Sequence, residues 1–86
     1  MKKIFKYQLK LQGEEQIVKL PKGSKIVHFY SQNNILYFWA EITSKAKEDR
    51  YFVVIGTGQD IPDGYGHIAT VLVESFVWHL YERKHE

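Results

Sequence analysis

"HIATVLVESFVWHLYE", residues 67–82, decides between an all-β chain and a mixed one. Ala69, Leu72, Val73, Phe76, Val77, Leu80 and Tyr81 fit the i, i+3, i+4, i+7 stripe of an amphipathic helix. The same run splits equally well into two strands, 67–73 and 76–82, joined at Glu74-Ser75. Side-chain chemistry separates the two readings. Valine, phenylalanine, tryptophan and tyrosine suit a pleated, half-buried surface, and no good N-cap residue precedes the run. The stretch is read as a hairpin, with a helix as the alternative.

Upstream, the pattern is of strands throughout. In residues 3–11, Phe5, Tyr7, Leu9 and Leu11 alternate with Lys6, Gln8 and Lys10, the period of a half-buried strand. Gly13-Glu14-Glu15 makes a turn into a short strand at 16–20, and Pro21-Lys22-Gly23-Ser24 has the residues of a tight turn. A third strand covers 25–32. Asn33-Asn34 tolerates the left-handed region twice over and predicts a primed hairpin turn into a fourth strand, 35–42. That strand, "ILYFWAEI", is nearly all apolar, which predicts cover on both of its faces. Residues 43–49, "TSKAKED", read as a charged loop and the first place to expect disorder, and a fifth strand covers 50–57. Six or seven short strands make a small antiparallel β-sandwich or partly open barrel, a single domain over 1–86.

Composition bounds what such a domain can do. A chain of 86 residues without cysteine has no disulfide or thiolate metal site to support a small core. Its 15% aromatic content supplies buried area instead, and a homo-oligomer would supply more. The start, Met-Lys-Lys-Ile-Phe-Lys-Tyr, lacks the apolar run of a signal peptide, and no stretch is long enough to cross a bilayer; a soluble cytoplasmic protein is expected. The net charge of +2 divides unevenly, with +5 on residues 1–25 and −3 on 26–86. Lysines guarding a strand edge explain the basic third better than nucleic-acid binding does.

Candidate chemistry centres on "GTGQDIPDGYGH", residues 56–67, with four glycines and a proline. The spacing is neither a dinucleotide fingerprint nor a P-loop, since Gly56-Thr57-Gly58 has no third glycine in register and no Lys-Ser/Thr follows. Backbone amides in such a turn still suit an anion, and the connection is longer than a hairpin needs. Gly56, Thr57, Gly58 and Gln59 are therefore ligand candidates, with His67 at the loop's exit. Arg50 and Lys25 offer charge to a phosphate, and Trp39 offers a ring to a base. The histidines, His28, His67, His79 and His85, lack local metal spacing, so neither metal nor cofactor is expected. Two H-x-[ST] pairs, which a two-histidine phosphodiesterase needs, are missing: His67-Ile-Ala-Thr70 is one residue too long, and His79-Leu-Tyr has no threonine or serine at the third position. Serine elbows are missing too, and Glu14-Glu15 and Glu48-Asp49 read as solvated turn charges.

Five stretches, "KIFKYQL", "KLPKGSKI", "ILYFWAEI", "VIGTGQDIP" and "FVWHLYE", together resemble a group of small uncharacterised β-rich proteins encoded by phages and prophages. The resemblance supports the hairpin at 67–82, although relatives break the chain there with glycine or proline where this chain has Glu74-Ser75. It implies a bacterial host cytoplasm. It also implies a non-catalytic protein that sequesters a host immune signal, a cyclic dinucleotide or an ADP-ribose derivative. A protein-binding inhibitor using a strand edge is the alternative, followed by a nucleotide-cleaving enzyme built on His67 and Thr70, with nucleic acid the least expected partner.

Overall fold

The computed structural model describes residues 2–11 and 13–84. Seven strands form two antiparallel sheets: β1 (Lys3–Leu9), β2 (Gln16–Pro21), β3 (Lys25–Gln32), β4 (Ile35–Ile42), β5 (Lys47–Gly56), β6 (Tyr65–Val73) and β7 (Phe76–Arg83). Residues 67–82 are two paired strands, not a helix. Leu72 stands opposite Val77 and Val73 opposite Phe76 across the Glu74-Ser75 turn. One sheet has the order β1-β4-β3 and the other β2-β5-β7-β6. The architecture is the expected small sandwich, with no closed barrel.

Alternation sends one row of each sheet inward. Leu9, Phe29, Leu36, Phe38 and Ala40 of the first sheet meet Leu20, Phe52, Val54, Val71 and Leu80 of the second. Phe38 and Phe52, both fully buried, touch across the sheets with ring centroids 5.1 Å apart. Tyr7 stacks on Phe38 at 5.3 Å, and burial raises its phenol pKa. Each fully buried aliphatic or phenyl group contributes about 1.5–3 kcal/mol relative to its exposed state.

Two local devices fix the sheets' geometry. Asn33 and Asn34 both take positive φ, 52° and 64°, as the primed turn between β3 and β4 requires. On the side where β1 and β2 are the sheet edges, Gln16 is buried, and its amide pairs with both the N–H and the carbonyl of Lys10 at 2.8 Å. That bond pair satisfies backbone groups that have left the β1 ladder.

Several expectations need correction. β1 ends at Leu9 rather than at 11. β5 begins at Lys47, so Glu48 and Asp49 lie on a strand facing Leu20 and Lys19 of β2, not in a turn. Only residues 43–46 remain between β4 and β5. β4 is sealed on one face alone. Leu36, Phe38 and Ala40 are buried, whereas Tyr37 and Trp39 on the outer side are half-buried. β4 is central within its own sheet, and flanking strands rather than a second layer shield its outer side.

The glycine-rich connection owes its length to topology. β5 and β6 both pair antiparallel to β7, which lies between them, so they run in the same direction. Gly56 stands opposite Trp78 and Tyr65 opposite Arg83. Residues 57–64 therefore travel the height of the sheet, about 17 Å at ~3.4 Å per residue. They cross its outer face. Val53 and Ile55 point away from the core yet are only 3% and 4% exposed, and Ile61 of the crossover shares a hollow with Ile55 and Tyr81. The Lys84 N–H donates to the Gly64 carbonyl at 2.8 Å and ties down the far end. No described helix is long and apolar enough to cross a membrane.

Candidate functional site

The sequence candidates separate into three places. Gly56, Thr57, Gly58 and Gln59 start the crossover. Gly58 has φ 93°, and the Gln59 side chain turns back to accept a hydrogen bond from the Gly56 N–H at 2.6 Å. Lys25 and Trp39 lie on the outer face of the three-stranded sheet, on the opposite side of the sandwich. Arg50 faces the interior. It forms a two-armed ion pair with Glu82, Nε to Oε2 at 2.5 Å and Nη2 to Oε1 at 2.8 Å, and its third arm donates to the Ser24 carbonyl. Hydrogen bonding to Glu82 raises the guanidinium pKa further, against the opposing effect of burial. Arg50 thus joins β5, β7 and the turn before β3, with each of its three nitrogens bonded within the protein.

His67 and Thr57 are joined by two residues that spacing alone does not connect. Thr57 Oγ1 lies 3.0 Å from His79 Nε2, His79 Nδ1 lies 2.9 Å from Thr70 Oγ1, and Thr70 Oγ1 lies 2.8 Å from His67 Nε2. The result is a row of alternating hydroxyls and imidazoles on the outer face of the four-stranded sheet. A bulge makes it possible. The register shifts between His67 and Ala69, so Ile68 is the extra residue and both His67 and Thr70 point outward. The extra residue in His67-Ile-Ala-Thr70 is absorbed there. His79 takes its hydroxyl partner from Thr57, across the sheet rather than along the strand.

Proton accounting gives this row a direction. A neutral imidazole has one N–H, and a hydroxyl has one proton with two lone pairs. When His79 carries its proton on Nε2, Thr70 must donate to Nδ1, so His67 must donate to Thr70 through its own Nε2. Thr57 then accepts from His79, and its proton is free to point at an external acceptor. The opposite His79 tautomer turns the Thr57 proton inward. An acceptor at the start of the crossover therefore selects the Nε2–H form of both histidines.

Thr70 also borders a groove of about 560 Å³ where β3 and β6, the edges of the two sheets, come together. His28, Phe29 and Tyr30 line one side, and Ile68, Thr70 and Leu72 the other. Each edge carries a bulge, at Val27 and at Ile68. A smaller hollow of about 160 Å³ lies beneath the crossover, bounded by Thr57, Ile61, His79 and Tyr81. Among the described residues no three histidine, aspartate or glutamate side chains gather to hold a metal, and His85 lies outside the described residues.

The fold and the groove define a small two-sheet β domain with a recess at the meeting of its sheet edges, lined by His28, Phe29 and Tyr30 on one side and by Ile68, Thr70 and Leu72 on the other. The chain belongs to the family described as a domain of unknown function, DUF7352, whose model matches residues 1–86. No curated protein and no solved structure matches it.

Proposed function

We propose that this domain is a non-catalytic binding module that sequesters a small anionic nucleotide-derived ligand in the groove between β3 and β6. One observation carries the reading: the groove is lined by His28 and Tyr30 from one sheet edge and by Thr70 from the other, and Thr70 is bonded to two imidazoles. Its volume of about 560 Å³ lies within the ~300–1,000 Å³ of small-molecule sites. A base stacks on Tyr30, which is 52% exposed, and a phosphate oxygen accepts from Thr70 Oγ1, whose proton is free when His67 Nε2–H and His79 Nδ1–H both donate to it. Lys25 stands at the start of β3, one residue before the groove lining begins at Ile26, and supplies charge there. The bulges at Val27 and Ile68 break the backbone ladder on both edges, which favours a ligand over an added protein strand.

The ligand's identity as a host immune signal, and a bacterial cytoplasm as its setting, rest on the resemblance to small phage-encoded proteins. A homo-oligomer is supported by Leu11 and Phe76, 58% and 62% exposed, which border one hollow of about 330 Å³. Calorimetry and native mass spectrometry against cyclic dinucleotides, ADP-ribose derivatives and inorganic phosphate test the reading. The expected result is a complex with one nucleotide class, recovered with its mass unchanged, and a loss of about three- to ten-fold in affinity for Thr70→Val. Recovery of cleaved product, or no binding by any member of the panel, overturns it.

A further inference from the structure

We propose that the outer face of the three-stranded sheet, which shares the His28 and Tyr30 rings with the groove, is a further binding surface that holds single-stranded nucleic acid across β3, β4 and β1. Four rings on this face form a continuous series. His28 and Tyr30 are 5.6 Å apart, His28 and Trp39 5.3 Å, and Tyr37 and Trp39 6.1 Å between centroids. None of the four belongs to the buried core, which this sheet builds from its other side with Phe29, Leu36 and Phe38. Area for the core therefore does not explain them.

Charge accompanies the rings. Lys6 Nζ lies 4.4 Å from the centre of the Tyr37 ring and donates to Gln32 Oε1 at 3.0 Å. Lys25 stands opposite Glu41 in register, and Lys2 reaches Glu41 at 3.5 Å. Glu41 is the one acid on this face among the described residues, so three lysines leave a positive balance. The crossover side differs. Lys19 is paired with Asp49 and Arg83 with Glu15, and residues 57–64 add Asp60 and Asp63 with no cation. Part of the lysine excess in residues 1–25 thus lies beside exposed rings, on the edge strands β1 and β3 of this sheet.

The geometry selects single strands. Rings 5.3–6.1 Å apart exceed the ~3.4 Å rise of stacked bases, so only an unstacked strand can set successive bases on successive rings. Aromatic faces accept any base, and lysines hold phosphates without reading sequence. A flat strand face has no helix or ribbon to enter a duplex groove.

The test is fluorescence anisotropy of the full chain with a labelled oligothymidylate and with a duplex of the same length, across a salt series. Single strands are expected to bind at least ten-fold more tightly than the duplex. Trp39→Ala should weaken binding about ten-fold, the size of one lost stacking contact. Trp39→Leu keeps apolar bulk without the π face and is expected to lose affinity similarly, so altered folding does not decide the result. Lys6→Gln should reduce the log–log salt slope by about 0.7. Thr70→Val should leave oligonucleotide binding unchanged, which separates this surface from the groove. No oligonucleotide binding at low salt, equal affinity for duplex, or full affinity in Trp39→Leu overturns the proposal.

Discussion

On one outer face of the sandwich the chain crosses back over its own strands; on the other, Tyr37 and Trp39 share the surface with His28, Tyr30 and Lys6. Val53 and Ile55 are as well buried as core residues, although their side chains point away from the other sheet. Trp39 and Tyr37, of similar apolar character, stay half-buried. Connectivity produces the difference. β5 and β6 run in the same direction on either side of β7, and such strands cannot be joined by a hairpin. The crossover that joins them becomes a third layer on that side alone. Charges follow the same division, since Lys19 and Arg83 are paired near the crossover while lysines on the open face outnumber acids. The comparison teaches that an apolar outer row is structural where chain lies over it and is available for binding where none does.

The largest effect comes from the buried ion pair between β5 and β7. Arg50 and Glu82 have side chains 11% and 10% exposed, and Arg50 also reaches the Ser24 carbonyl in the turn before β3. Arg50→Ala leaves a buried carboxylate unpaired and is expected to cost about 3–5 kcal/mol, read by urea unfolding. The double variant Arg50→Met, Glu82→Leu should recover most of that loss, because neither charge is then stranded. A loss under about 1 kcal/mol in Arg50→Ala would show that the two sheets do not need this link.

The next prediction sets the two faces directly against each other. Ile55→Ala opens a cavity beneath the crossover and should cost about 2–5 kcal/mol, a core-like value at a position outside the core. Tyr30→Ala on the open face should change stability by no more than about 0.5 kcal/mol. Equal costs at the two sites, measured in the same unfolding assay, would remove the distinction between a covered and an open face.

Much of this fold is legible locally. The alternation of β1 and the paired asparagines at 33–34 act between neighbours in sequence, so their patterns survive in a single chain. The start of β5 is hidden because its charges look like a loop. Asp49 lies in a strand that pairs with β2, with Lys19 opposite it, 30 positions away. The candidate site is less legible still. The His67–Thr70 pairing depends on a bulge, Thr57 and His79 are 22 positions apart, and Arg50 meets Glu82 across 32. Such partners are set by strand order, which periodicity does not encode. The length of the glycine-rich loop is legible, but its reason is not: residues 57–64 are long because β7 separates β5 from β6.

A stabilising change of modest size is expected at the turn between β6 and β7. Glu74 takes φ 56°, whereas Ser75 does not have positive φ, so positive φ falls on the first central residue of the two-residue loop alone. Glycine is the residue favoured there, because a side chain in the left-handed region costs about 1–2 kcal/mol. Glycine returns part of that gain through the larger entropy of its unfolded state, about 0.5–1 kcal/mol. Glu74→Gly should therefore stabilise the domain by about 0.5–1 kcal/mol, read as a rise in the urea midpoint at unchanged slope. The turn closes β6 against β7 and holds Thr70 opposite His79. Because the register is already set by the Leu72–Val77 and Val73–Phe76 pairs, ligand affinity in the groove should not change. A stabilised variant with altered affinity would mean that strain at Glu74, rather than the bulge at Ile68, positions Thr70.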